Sequence, residues 1–226
     1  MLNQTLQPRE IILWLSKEQF PTTDSLPESL KSREDDVFKI RMVDGDIRSH
    51  KKYYYVVKEY TDDLIFLIDD DIYYPTDIIE RSVREYNKLN DTVVCNYGYR
   101  IRYNDDGTHT SYNKWNLIYK KAIGSDLFFG SGGGTLFRPS KLCPDISKLE
   151  KALELTPTAD DIWLNAMVKM AGLNICILPN GTILEIRNKE NQNLHTINNG
   201  NAKNDEQIVA VEKCYGRIFD KIITTF

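Results

Sequence analysis

The sequence predicts an α/β fold, a mixed and mostly parallel sheet flanked by helices. Three observations carry this. Short apolar runs alternate with amphipathic segments, as repeated βαβ units require. One run, Leu64-Ile65-Phe66-Leu67-Ile68, passes straight into Asp69-Asp70-Asp71. It reads as a strand buried on both faces in the middle of a parallel sheet, with carboxylates at its carboxyl end. The 226 residues hold no repeat, low-complexity tract or linker, so one domain spanning 1–226 is the simplest organisation.

In chain order, Met1 to Pro8 reads as the tail of a helix and its exit loop. Ile11 to Leu15 is a short strand. Pro21 and Pro27 break the next stretch, leaving a helical turn or two from Pro27 to Lys31. Val37 to Val43 alternates apolar and polar residues, a second strand that ends in the turn Asp44-Gly45-Asp46. Tyr53, Val56, Val57 and Tyr60 share one face of a helix from Ser49 to Tyr60. Beyond the aspartates, Thr76-Asp77 can cap a helix running to about Lys88, with Ile78, Ile79, Val83 and Tyr86 as its apolar stripe. Thr92 to Tyr97 is a strand. Asn104-Asp105-Asp106-Gly107 is a hairpin-type turn between aromatic-rich runs. Phe128 to Phe137 is a glycine-rich loop leading into a strand. Leu142 to Leu155 is partly helical. Asp160-Asp161 opens and caps a helix that runs to Ala171 and is closed by Gly172. Ile175 to Leu178 is a strand, Asn188 to Lys203 a polar loop holding His195, and Asp205 to Gly216 the last helix.

Composition excludes several classes. A net charge of −4 with no basic stripe argues against nucleic acid as a partner. Cys95, Cys143, Cys176 and Cys214 form no C-x-x-C pair, so zinc and redox motifs are unsupported. Cys95 and Cys176 lie in apolar runs as buried thiols, which fits a reducing cytoplasm. No segment approaches the roughly 20 apolar residues that span a bilayer. There is no basic-then-apolar leader. The sequons at Asn3, Asn90 and Asn180 then arise by chance. The 13 tyrosines suit stacking against sugars or bases, and equally half-buried packing.

The chemistry narrows by elimination. The apolar strand ending in Asp69-Asp70 has the pattern of a Walker B strand, yet no G-x-x-x-x-G-K-[ST] accompanies it. Gly130, Gly132, Gly133 and Gly134 miss the dinucleotide spacing and precede a strand, where the fingerprint opens a helix. No nucleophile elbow is present. A metal-held diphosphate remains. Asp69 and Asp71 are alternate residues that can face one ligand set, and an oxygen-only set suits Mg²⁺ or Mn²⁺. The plainer alternative is a solvated acidic turn. Asp160-Asp161, in Thr158-Ala159-Asp160-Asp161-Ile162-Trp163, is either a helix cap and dipole partner or the site of a base beside an acceptor hydroxyl.

An apolar strand ending in Asp-x-Asp, a glycine-rich loop some sixty residues later, and an acidic pair opening a helix together resemble the inverting glycosyltransferases of the nucleotide-diphospho-sugar transferase (GT-A) fold. The strings Asn3-Gln-Thr-Leu-Gln-Pro, LIFLIDDDIYYP and ADDIW are similar to bacterial family-2-like enzymes of cell-surface polysaccharide or glycolipid synthesis. The resemblance covers Met1 to about Gly216. It implies a single Rossmann-like GT-A domain that uses a divalent cation, Mn²⁺ or Mg²⁺. By the same resemblance Asp71 is a metal ligand, with Asp69 near metal or ribose and His195 as a third ligand. Asp70 faces the donor sugar, and Lys52 contacts the diphosphate. Asp161 is the catalytic base and Asp160 positions the acceptor. Gly132, Gly133 and Gly134 let acceptor and donor sugar approach the backbone. The implied partners are a nucleotide-diphospho-sugar, first of all a UDP-sugar, and a glycan or lipid-linked acceptor. The implied location is the cytoplasm, at the inner face of the membrane by peripheral association.

Two departures stand out. The first strand of such a fold would precede Asn3, and Ser16-Lys17-Glu18 stands where an acidic residue follows the second strand. The competing readings are a nucleotidyltransferase and a non-catalytic sugar-binding relative with a degraded donor site.

Overall fold

The computed structural model describes residues 1–179, 184–185 and 203–221. The first half alternates as expected: β1 (Ile11–Ser16), α1 (Glu28–Lys31), β2 (Phe38–Val43), α2 (Lys51–Glu59), β3 (Ile65–Leu67), β4 (Ile72–Tyr73), α3 (Ile78–Tyr86) and β5 (Thr92–Cys95). Short strands then crowd together: β6 (Gly98–Arg100), β7 (Asn116–Leu117), β8 (Ala122–Gly124), β9 (Leu127–Phe129) and β10 (Thr135–Phe137). The remainder is α4 (Leu149–Leu155), α5 (Asp160–Met170), β11 (Asn174–Ile177), β12 (Leu184–Glu185) and α6 (Lys203–Tyr215). Residues 1–10 are irregular where a helix tail was expected.

Five strands form the central sheet in the order β3-β10-β5-β11-β8. β5 and β11 pair in parallel, whereas β10 is antiparallel to both β3 and β5, and β8 antiparallel to β11. Hence β3, β5 and β11 run one way and β10 and β8 the other. β3 was expected in the middle of a parallel sheet and is instead its edge strand. β10 returns from the glycine loop and inserts itself between β3 and β5. β3 still reads as apolar because Ile65 and Leu67 share a core cluster with Tyr53 and Val57 of α2, while Phe66 joins Val83 and Tyr86 of α3 at a second cluster. β1 and β2 form a separate parallel pair, from Ile11 opposite Phe38 to Ser16 opposite Val43.

The register of β10 positions the site. Thr135 lies opposite both Leu67 and Cys95. The glycines before Thr135 are therefore carried alongside Asp69 and Tyr97, each two residues past its strand's registered end.

A large core holds the layers together, with a smaller cluster around Val94, Leu136 and Cys176. Trp163, Phe128, Phe129, Tyr53, Met167 and Phe219 are all fully buried within the large one. α5 is apolar on every side and buried nearly throughout, as a helix in the middle of a core must be. It stops at Gly172, whose φ of +70° suits a residue without Cβ. α3 lacks a cap from its own Asp77. Its Ile79 N–H donates instead to Gln4 Oε1 at 3.3 Å, and Gln4 Nε2 donates to the Pro75 carbonyl at 2.9 Å. The irregular N-terminal segment thus closes the start of α3.

Candidate active site

The glycine loop leaves β9 at Gly130, makes a 3₁₀ turn over Ser131–Gly133, and enters β10 at Thr135. Asn165 on α5 fixes the loop's base. Its Nδ2 donates to the carbonyls of Phe129 and Asp161, both at 2.8 Å, while Phe129 N–H donates to its Oδ1 at 3.0 Å. This fully buried amide ties β9 to the first turn of α5.

Asp160 and Asp161 are the first two residues of α5, and neither side chain caps it. Both are turned to other partners. Ser131 donates to Asp161 Oδ1 twice, from its N–H at 2.8 Å and its Oγ–H at 2.5 Å. Asp160 Oδ2 meets Lys52 Nζ at 3.1 Å, and the same ammonium meets Asp69 Oδ1 at 2.7 Å. Lys52, projecting from α2, thus joins the acidic run after β3 to the acidic pair on α5. The family resemblance implies a contact with the diphosphate, and the plainer alternative is a solvated lysine beside Lys51. Here it is shared between two carboxylates.

These neighbours separate the two aspartates. Burial pushes Asp161 up, the adjacent Asp160 charge adds to it, and Lys52 with the Ser131 hydrogen bonds only partly offsets them, leaving a carboxyl of pKa about 6. Burial also works against Asp160, but the Lys52 charge, the neighbouring His50 and the hydrogen bond from Lys52 together outweigh it and hold Asp160 below its ordinary value. Lys52 is itself raised well above the usual lysine value. Its burial opposes the charge, and Asp160, Asp69 and Asp161 more than compensate. One carboxylate is therefore locked as an ion-pair partner, and the other titrates near neutrality.

His50 supports the approach to α5. It is fully buried, receives a hydrogen bond from Tyr53 O–H at 2.8 Å, and donates Nε2–H to the Thr156 carbonyl at 2.7 Å. Burial keeps it neutral by lowering its pKa. On the opposite wall, Asp69 N–H donates to Tyr74 Oη at 2.8 Å, and Tyr74 O–H donates to the Gly132 carbonyl. Tyr74 thereby clamps the acidic turn to the glycine loop.

The glycines answer to these neighbours. A Cβ at Gly132 would overlap the Asp69 carboxylate, and one at Gly133 would overlap Tyr97 Cβ. Gly134 has φ +94°, with Phe66 Cζ 2.9 Å from where a Cβ would stand. All three are buried. The chain's own side chains already require glycine at these positions.

Asp70 and Asp71 are exposed at the mouth of the turn. His195 lies outside the described residues. Asp69 and Asp71 offer an oxygen-only donor set at this turn, the chemistry that would suit a hard divalent cation. Among the described residues, one group brings three ligand atoms within 4.8 Å of one another, and it is elsewhere: His109, Glu212 and Asp220. His109 Nε2 is 3.2 Å from Glu212 Oε2, and Asp220 accepts from His109 N–H at 2.9 Å and from Arg217.

Sequence reasoning found Asp69, Asp160 and Asp161 but not Ser131, Asn165, His50 or Tyr74. Their partners lie up to 106 positions away, as for His50 and Thr156. The one available cue was an abundance of hydroxyl and amide side chains beside glycine and apolar runs.

No curated protein matches the sequence significantly. The model of glycosyl transferase family 2 matches residues 1–142, more than half the chain, taking in the acidic turn and glycine loop and ending before Asp160. With a mixed α/β sheet, an acidic turn at the end of β3 and a matched span of that length, this chain belongs to glycosyl transferase family 2, glycosyltransferases of the GT-A, Rossmann-like fold.

Proposed function

We propose that the protein transfers a sugar from a nucleotide-diphospho-sugar, a UDP-sugar first of all, to a hydroxyl of a glycan or lipid-linked acceptor, with inversion at the anomeric carbon. The observation that carries this reading is the division of labour in the acidic pair, with Asp160 held by Lys52 and Asp161 buried against Ser131 at a pKa of about 6. A base needs a pKa near the working pH, and Asp161 has it.

Asp161 takes the proton of the acceptor hydroxyl. The oxygen attacks the anomeric carbon from the face opposite the diphosphate, and the carbon–oxygen bond to the diphosphate breaks. Ser131 fixes Asp161 through two hydrogen bonds, so the carboxylate is oriented before substrate arrives. Lys52 keeps Asp160 charged and holds Asp69 at the donor side. Asp69 and Asp71 would hold a Mn²⁺ or Mg²⁺, which when bound stabilises the charge developing on the leaving diphosphate. Asp70 faces the donor sugar at the same turn. The setting is polysaccharide or glycolipid synthesis in the cytoplasm, at the inner face of the membrane.

The test is product identity. Incubated with Mn²⁺ and a panel of nucleotide-diphospho-sugars, the protein releases nucleoside diphosphate. Release of pyrophosphate would instead mean nucleotidyl transfer, and absence of any nucleotide binding with Mn²⁺ present would mean a binding protein.

A further inference from the structure

Away from the Asp69 and Asp160 site, α3 and the segment before β8 form an open hollow of about 350 Å³. Arg81, Arg84, Lys88, Lys120 and Lys121 line it, with Glu85 as its one carboxylate and Tyr119 on its wall. Five cations against one anion is a sharp local excess in a chain whose net charge is −4.

Internal pairing accounts for only part of that excess. Glu85 takes Lys121 on Oε1 and Lys88 on Oε2, the latter at 3.4 Å. Arg84 is paired with Glu80 at 2.7 Å. Among the described residues, Arg81 and Lys120 form no ion pair. The cleft is therefore short of negative charge, and an anion entering it would meet Arg81 and Lys120 while relieving the repulsion among all five.

The apolar surroundings narrow the kind of anion. Tyr119 on the wall is 79 % exposed, and Ile123, two residues beyond Lys121 on the edge strand β8, is 45 % exposed. A free phosphate or nucleotide gains nothing from an isoleucine held out in solvent. At a bilayer surface the same side chain enters the headgroup and acyl boundary, and a tyrosine keeps its ring in the apolar layer and its hydroxyl in the wet one. Basic side chains beside them are drawn to anionic headgroups. The acidic remainder of the molecule is no obstacle beyond about 10 Å, the screening length near 0.1 M salt.

Resting on the membrane-borne acceptor proposed above, we propose that this face docks on an anionic membrane surface, with a phospholipid phosphate seated between Arg81 and Lys120, and Tyr119 and Ile123 entering the interface. The docking places the catalytic domain beside membrane-borne substrate. Among the described residues no helix is long and apolar enough to cross a membrane.

The experiment is co-sedimentation of the whole protein with phosphatidylcholine vesicles, with and without phosphatidylglycerol, at low and high salt. The protein pellets with the phosphatidylglycerol vesicles alone and is released by salt. At about fivefold per basic side chain, the Arg81→Gln/Lys120→Gln double variant loses on the order of 30-fold in affinity. Tyr119→Ser weakens binding without altering its salt dependence. The control Arg33→Gln/Lys213→Gln removes the same charge from exposed positions on other elements and stays within about twofold of the unaltered protein. Circular dichroism and Tm of each variant, unchanged from the parent, show that the loss is not unfolding. No preference for phosphatidylglycerol overturns the proposal, as does equal loss in the control pair. So does binding of inorganic phosphate or an oligonucleotide by a protein that ignores the vesicles.

Discussion

Lys52 is the residue on which the candidate site turns, because its ammonium is within 2.7 Å of Asp69 and 3.1 Å of Asp160. It leaves Asp161 as the carboxylate without a cation partner, and burial sets that group to titrate at about pH 6. A base must be unprotonated to act. The prediction is that kcat/KM rises about tenfold per pH unit below about 6 and levels off above it, since kcat/KM reports the free enzyme. A profile flat from pH 5 to 8 would contradict the assignment. At this scale the sequence was informative about carboxylates and poor about their partners. Asp69-Asp70-Asp71 and Asp160-Asp161 are contiguous, so their spacing alone speaks. Ser131, Asn165 and His50 act across 30 residues or more, and local periodicity carries no trace of that.

Among the elements, the glycine loop has the most to say. Its conformation is set by β10, whose register carries Gly132 against Asp69 and Gly134 against Phe66. The two positions should fail differently. Gly132→Ala forces the end of a flexible carboxylate aside, so the Lys52–Asp69 contact breaks and the KM for donor rises while Tm changes little. Gly134→Ala puts a Cβ at φ +94° against a packed ring, and costs about 1–3 kcal/mol of stability, read in thermal or urea unfolding. Equal effects of both substitutions on Tm and KM would contradict this division. Helix ends with Gly172 and Gly216 were legible because positive φ selects glycine. The place of β3 was not. A run of branched apolar residues reports burial on two faces, and helices α2 and α3 supply that to an edge strand as well as neighbours would.

For the molecule as a whole, α6 is tied to the hairpin around Gly107 by His109, which faces Glu212 and Asp220, the Thr110 carbonyl and the Trp115 ring. The hydrogen bond to Glu212 raises the His109 pKa, burial opposing. A folded-state pKa above the unfolded value gives stability that is complete below about pH 6.5 and is lost as pH rises through the raised value. Tm should therefore fall from pH 6 towards pH 8, and His109→Gln should remove that slope. The buried Asp161, also raised, acts with the same sign at lower pH, between about 4 and 6, so the two windows are separable. An unchanged slope in His109→Gln would assign it to another group. The alternation of strands and helices was legible at this scale, as was the hairpin turn at Asn104 to Gly107, where Tyr103 and His109 pair. The antiparallel insertion of β10 and the packing of α6 were not, because both depend on contacts between distant segments. Family similarity, too, ends at residue 142, so the place of Asp161 beside the glycine loop rests on the geometry.

That geometry is tested most directly by Asp161→Asn. The amide keeps the size of the side chain and can still accept from Ser131, but it cannot take a proton. Transfer to the acceptor should fall by about 10²- to 10⁴-fold, with nucleotide-diphospho-sugar binding in Mn²⁺, measured by calorimetry, unchanged. Retention of transfer, or loss of transfer and donor binding together, would contradict the role of Asp161 as the base.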